Sequence, residues 1–191
     1  MLIVSSFIVL PSEKVKAGSY DGSDLANAVL ANLSTLVSSS YWDTDDSRNR
    51  QGAVVSSLGT MLPTEGSTFI LLGTGIAGAV PVTTNTVDPG DERGTHFGVS
   101  NPNPPWTPYD EAELTLQLQV PQHMHYLYYD VQFFTAEYPD YLGTAYNDKL
   151  TITVDSPSQG TSVHIIDVNG GDFVLTSHDI PGTGFDVFSI D

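Results

Sequence analysis

Hydrophobic and polar residues alternate along two long segments of this chain. In residues 113–120 an apolar side chain occupies every second position, and residues 126–133 repeat the pattern with leucine, tyrosine, valine and phenylalanine. A period of two is typical of a β-strand that buries one face. Because Pro121 and a short turn separate the two segments, we expect them to form an antiparallel hairpin.

Several shorter segments also predict strands, since they are rich in β-branched or apolar residues and are bounded by turn residues. Residues 149–154 alternate again, and Asn169-Gly170-Gly171 is a strong signal for a turn between two strands. The other predicted strands cover residues 52–58, 68–72, 162–168, 172–176 and 185–190.

Residues 23–37 have helical periodicity, and Asp21 or Ser23 can cap this helix. One helix among eight or more short strands predicts a mainly β fold. The expected architecture is an antiparallel β-sandwich, immunoglobulin-like or jelly-roll-like, with one packed α-helix. The predicted inward positions of the helix are Leu25, Val29, Leu33 and Leu36.

The composition indicates one acidic domain. The chain has 191 residues, of which 23 are acidic and six basic, so its formal net charge is -17. Nucleic acid would be repelled, and an anionic membrane surface is disfavoured for the same reason. Cysteine is absent, and no run reaches the roughly 18 apolar residues that a membrane span needs. We predict an N-terminal segment, residues 1–18, followed by a single domain over residues 19–191.

Residues 2–10 are apolar on both faces and end at Pro11. One interpretation is a secretory signal or its remnant, because Val15-Lys16-Ala17 resembles a signal-peptidase site. We favour a retained strand, since no basic residue precedes the apolar run. Such a strand needs a groove, either in its own domain or in a second copy. The predicted contact residues are Leu2, Ile3, Val4, Phe7, Ile8, Val9 and Leu10.

Two motifs resemble known sites without their required context. Residues 73–78 spell GxGxxG, but β-branched residues and Pro81 follow where a dinucleotide site needs a helix, so we predict a tight sheet corner. Residues 41–50 contain three aspartates, including Asp43, but lack the glycine and the final acid of a helix–loop–helix calcium loop. We favour a solvated acidic loop there over a cation site.

Residues 126–148 combine aromatic rings with carboxylates and turn at Pro139 and Gly143. Calcium prefers carboxylate and amide oxygens, so this stretch predicts an all-oxygen calcium site. The alternative is that the same side chains cap a turn by bonding local amides and a tyrosine hydroxyl. The predicted ligands are Asp130, Glu137, Asp140, Asn147 and Asp148.

Aromatic residues near carboxylates also favour a second function, carbohydrate binding, because sugars stack on aromatic rings. Catalysis is not predicted. Glu137 and Asp140 lie on one turn, whereas the two carboxylates of a glycosidase flank the bond from opposite sides. The histidines show no zinc-binding spacing, and no GxSxG motif is present. The candidate glycan-binding residues are Trp106, Tyr109, Tyr138 and Tyr141.

Three segments carry a family resemblance. They are GTGIA at residues 73–77, YDEAELTLQLQV at residues 109–120 and YYDVQFFTAEYPDYLGTAYNDKL at residues 128–150. Together they resemble the domain family called choice-of-anchor L, with Ala136 in place of the first acid of its aromatic–acidic core. The resemblance implies a secreted or surface-anchored protein of bacteria or archaea and carries no established activity. The family's domain continues further past this core, so we expect a sandwich that lacks a terminal strand.

These observations predict an extracellular, non-enzymatic structural or adhesive module. We expect a subunit of a surface filament, assembled by donation of the N-terminal strand and stabilised by calcium. Head-to-tail donation propagates as a homopolymer instead of closing as a dimer. The alternative is a carbohydrate-binding surface module whose partners are surface glycans.

Overall fold

The computed structural model describes residues 20–43, 51–73, 77, 111–134, 143, 148–167 and 169. Within these residues there are one α-helix and six strands, and every strand pair is antiparallel. A mainly β fold with a helix is therefore confirmed for the described residues. The elements are α1 (Gly22–Val29), β1 (Leu36–Asp43), β2 (Gly52–Val55), β3 (Phe69–Leu72), β4 (Ala112–Leu118), β5 (Lys149–Ser156) and β6 (Gly160–Asp167).

Several predicted elements lie outside the described residues. These are the strand at residues 2–10, the boundary at residue 18, the strands at 172–176 and 185–190, and most of the glycine segment at 73–78. No helix in the described part of the chain is long and apolar enough to cross a membrane.

The predicted capping of α1 is confirmed, with Asp21 as the N-cap residue. Its carboxylate accepts hydrogen bonds from the backbone amides of Ser23, at 2.8 Å, and Asp24, at 2.9 Å. The Asp24 carboxylate in turn accepts from the amide of Asp21, at 3.2 Å, which completes a capping box. The local sequence therefore fixes where the helix begins.

The predicted C-terminal end of the helix is wrong, because α1 stops at Val29 and not at residue 37. Asn32 accepts hydrogen bonds from the amide of Ser34, at 3.0 Å, and from its hydroxyl, at 2.8 Å. Such local bonds offer the backbone an alternative to helix. A short 3-10 turn, Leu33–Thr35, follows and leads into β1. Leu36, predicted to face inward from the helix, begins that strand.

Helix α1 lies very close to β1. A Cβ atom added at Gly22 would come within 2.7 Å of the backbone of Ser40, so glycine is required for this approach. Leu25 is fully buried as predicted, whereas Val29 and Leu33 are exposed, because the helix ends before its apolar stripe is complete. The buried apolar residues of the described chain are Leu25, Ala26, Ala53, Val55, Leu58 and Ala77.

The predicted hairpin between residues 113–120 and 126–133 is wrong. Strand β4 pairs with β1 over its whole length, and the amide of Gln119 donates to the carbonyl of Thr35 at 2.7 Å. Residues 119–134 contain no strand. The physical reason is that tyrosines lie on both faces of residues 126–133, so neither face is selected for a core. Within β4 the alternation is confirmed as far as Leu118, but Val120, predicted inward, is exposed.

The pair β5 and β6 forms a regular hairpin closed by Gly160, whose φ of 76° suits glycine. The predicted alternation in β5 is confirmed, since Leu150, Ile152 and Val154 are half-buried and the residues between them exposed. The predicted strand at 162–168 corresponds to β6, which begins two residues earlier. The short strands β2 and β3 likewise match the predictions at 52–58 and 68–72, with shorter bounds.

Candidate functional site

The predicted calcium ligands are only partly placed. Asp130 is exposed, and its carboxylate accepts a hydrogen bond from the hydroxyl of Thr64 at 2.7 Å. Asp148 is half-buried immediately before β5. Among the described residues, no three histidine or acidic side chains are grouped so that they could hold a metal ion. The calcium site stays a prediction, since its remaining ligands, Glu137, Asp140 and Asn147, lie outside the described residues.

The predicted turn at Gly143 is confirmed. Gly143 has a φ of 77°, in the left-handed region that favours glycine. Its backbone amide donates to the side-chain oxygen of Asn169, which follows β6. This contact ties the aromatic–acidic stretch to the end of the β5–β6 hairpin. Asn169 was predicted as part of a tight turn, and no local pattern indicates this longer-range bond.

A buried polar cluster joins the end of β1 to the start of β2. Asp43 is 2% exposed, and its carboxylate accepts hydrogen bonds from the hydroxyl of Tyr41, at 2.7 Å, and the amide of Gln51, at 3.0 Å. Gln51 is fully buried, and its side-chain amide donates to the carbonyl of Gly73 at 3.0 Å. The prediction that residues 41–50 form a solvated loop is therefore wrong for Asp43. Its carboxylate is buried and bonds to Tyr41 and Gln51, on either side of residues 44–50.

Sequence reasoning missed this cluster for a physical reason. From Ser39 to Asp43 alternate residues of β1 point inward, but they are serine, tyrosine and aspartate. A strand whose inward face is polar shows no hydrophobic alternation. The sequence does place charged residues between Asp43 and Gln51. Such polar stretches are common on protein surfaces, so they are weak evidence for a buried cluster.

A segment with exposed aromatic and aliphatic side chains follows β4, from Val120 to Val131, and it contains a turn in which the amide of Met124 donates to the carbonyl of Pro121 at 2.9 Å. Its outward-facing rings include those of Tyr126 and Tyr128, whose centroids lie 6.0 Å apart. Monomeric proteins seldom expose so many large apolar residues in one contiguous stretch. The exposed residues are Val120, Met124, Tyr126, Leu127, Tyr128, Tyr129 and Val131.

The predicted glycan-binding residues, Trp106, Tyr109, Tyr138 and Tyr141, all lie outside the described residues. The exposed aromatic residues of the described chain are different ones, chiefly Trp42 on β1 and the tyrosines of residues 126–129. A carbohydrate surface at the predicted positions stays a prediction.

Comparisons of the chain with protein-family models, with curated proteins and with solved structures found no match. The resemblance to choice-of-anchor L therefore stays a prediction from the sequence.

Proposed function

We propose that this protein is an extracellular, non-enzymatic structural or adhesive module built on an antiparallel β-sandwich. In this proposal, copies assemble into a surface filament when residues 2–10 of one copy add a strand to the next. The observation that carries the proposal is the exposed segment at residues 126–132, which pairs with no strand of the described chain.

Strand addition suits this segment for two reasons. A second strand would satisfy backbone groups that otherwise bind water, and it would cover part of the exposed apolar surface. Residues 2–10 have the complementary property, because they carry apolar side chains on both faces and no charge. A strand of that kind is soluble only when both faces are covered.

Calcium has an electrostatic role in the proposal. Copies with a net charge of -17 repel one another, and bound divalent cations would reduce both this repulsion and the strain within each copy. The proposed ligands are those of the aromatic–acidic stretch, in which Asp130 already meets Thr64 on the loop before β3. Cation binding there would fix the segment that receives the donated strand.

Deletion of residues 2–10 tests the proposed assembly. We expect the deletion variant to stay monomeric where the full chain forms filaments, as judged by light scattering and electron microscopy. Ile8→Asp, which places a charge in the centre of the apolar run, should have the same effect. Ser12→Asp, which adds a charge just beyond Pro11, is the matched control and should assemble normally. Intact-mass measurement shows whether each sample retains the first residues, and undiminished filaments after the deletion would refute strand donation.

Carbohydrate binding is the second candidate function, favoured by the exposed rings of Tyr126 and Tyr128 on one side of the same segment. Two adjacent rings can stack on sugar faces. A glycan array probed with the chain lacking residues 2–10 tests this function without interference from assembly. Absence of binding, or binding that survives Tyr126→Ala with Tyr128→Ala, would exclude this pair as the glycan site.

A further inference from the structure

We propose that residues 126–132, here called the acceptor segment, are the surface that receives residues 2–10 of a second copy. This inference rests on the proposed function and specifies its interface. It is independent of calcium and of the residues beyond Phe134.

The side chains of the acceptor segment alternate in exposure as those of a strand do. Leu127, Tyr129 and Val131 become progressively less exposed, at 56%, 46% and 41%, whereas Tyr126 and Tyr128 are 77% and 84% exposed. This alternation, together with the contact between the rings of Tyr126 and Tyr128, is the side-chain pattern of an extended backbone, although both faces are exposed. The segment therefore needs little reorganisation to pair with another strand.

The backbone of the acceptor segment is open to pairing. Among the described residues, no backbone hydrogen bond joins residues 126–132 to any other part of the chain. The side chain of Asp130 accepts a hydrogen bond from Thr64, and no main-chain donor or acceptor of the segment bonds to another described residue. An unpaired extended segment with apolar side chains is a template for addition of another strand.

Residues 2–10 match the acceptor segment in length. Nine extended residues span about 30 Å and seven span about 23 Å at roughly 3.3 Å per residue. The donor therefore covers the whole acceptor segment and leaves Pro11 to end the pairing, because proline cannot donate to a sheet ladder.

Charge also favours this donor. Residues 1–18 contain two of the six basic residues, Lys14 and Lys16, but one of the 23 acidic residues, so this segment is net positive while the remainder of the chain is strongly negative. Asp130 within the acceptor segment and Glu65 beside Thr64 are exposed carboxylates on the receiving copy. Attraction between the positive N-terminal segment and these carboxylates steers the N-terminus of one copy towards the acceptor segment of another.

The hairpin of β5 and β6 is the competing surface, since Val163 and Ile165 of β6 are exposed. Strand β6 already pairs with β5 over its full length, so one of its edges is occupied. Among its residues, only Val163 and Ile165 are large, apolar and exposed. Strand β6 therefore provides a control position for the test.

Disulfide trapping between separately purified chains tests the interface, and the absence of cysteine from the natural sequence makes the result unambiguous. One chain carries Ile8→Cys. The other carries Leu127→Cys, Tyr129→Cys or Val131→Cys, with Ile165→Cys on β6 as the matched control. After mixing under mild oxidation, we expect a linked pair of chains with at least one acceptor variant, in several-fold excess over the control. Mass spectrometry of the linked peptides gives the register.

The outcomes separate this inference from the proposed function. If filaments need residues 2–10 but linkage occurs at Ile165→Cys, or at none of the acceptor positions, strand donation stands and the acceptor assignment is wrong. If one chain carrying both Ile8→Cys and Tyr129→Cys forms an internal disulfide while the mixture forms no linked pair, the segment receives its own N-terminus and the inference is also overturned. If filaments persist without residues 2–10, both fall together.

Discussion

At the scale of single residues, the buried carboxylate of Asp43 shows how a polar side chain can hold a loop. It accepts hydrogen bonds from the hydroxyl of Tyr41 and the amide of Gln51, on either side of residues 44–50. A buried donor that loses its acceptor costs more than the bond contributed, because the donor is left without water. Asp43 is therefore a buried acid that joins the described residues on either side of 44–50.

Asp43→Ala should destabilise the fold by about 1–3 kcal/mol, because it leaves two donors without this acceptor. Urea unfolding followed by the fluorescence of the neighbouring Trp42 measures the loss. Asp155→Ala is the matched control, since Asp155 is an exposed acid bonded to the Thr161 hydroxyl, and its removal should change stability little. Equal effects of the two substitutions would contradict the structural role of Asp43.

The N-cap residue Asp21 gives a prediction about pH. Its pKa is lowered below the ordinary 3.8, chiefly by the hydrogen bond from the Asp24 amide and then by the hydroxyl and amide of Ser23. A carboxylate with a depressed pKa in the folded state stabilises the fold above its ordinary pKa, and that contribution is lost as pH falls through the folded-state value.

Asp21→Asn should therefore make stability less dependent on pH below 3.8, while leaving it nearly unchanged at neutral pH, because asparagine also caps helices. Unfolding curves recorded from neutral pH down through this range measure the slope. If the unfolding free energy of the variant changed with pH as steeply as that of the unsubstituted chain, the protonation of Asp21 would not be linked to folding.

At the scale of elements, the partner of β4 is the main departure from what local sequence indicates. Residues 126–133 follow β4 closely and alternate as a strand does, but β4 pairs with β1, whose paired residues lie 69 to 82 positions earlier in the chain. One side-chain contact in this pairing is the hydrogen bond from the Ser38 hydroxyl to Gln117, at 2.9 Å. Strand pairing depends on both partners, and the serine-rich β1 gives no hydrophobic signal.

Hydrogen exchange should distinguish the two arrangements. In the monomer, amides of β1 and β4 should exchange slowly, while those of residues 126–132 should exchange almost as fast as in an unfolded chain. On assembly, residues 126–132 should gain protection. The deletion of residues 2–10 provides the control, because its acceptor segment should stay unprotected at every protein concentration. Slow exchange at residues 126–132 in the monomer would contradict the described structure.

At the scale of the whole molecule, the net charge of -17 sets the conditions under which the chain is stable. Self-repulsion opposes the compact state, and it is relieved either by general screening or by cations bound at specific oxygen ligands. These two routes differ in the concentrations at which they act and in their sensitivity to single substitutions.

Calcium should raise the melting temperature at concentrations where sodium chloride of equal ionic strength does not, because a ligand that binds only the folded chain stabilises it. At 100 times the dissociation constant the gain is about 2.7 kcal/mol. Glu137→Gln with Asp140→Asn should abolish the effect, and Asp155→Asn, which removes an exposed acid of the β5–β6 hairpin, is the control. If calcium raised the melting temperature of all variants equally, its effect would be general charge screening and not binding at these ligands.

Local sequence was enough to predict the mainly β class, the start of α1 at its capping box, and the strands β4 and β5, where apolar and polar residues alternate cleanly. These features depend on residues close together in the chain. The tertiary structure decided the end of α1, the pairing of β4 with β1, and the burial of Asp43 and Gln51. It also decided that residues 126–132, which resemble a strand, have no strand partner in the described chain. Each of these features depends on which distant residues pair with the same backbone groups or pack against the same side chains. A local pattern contains no information about those distant residues.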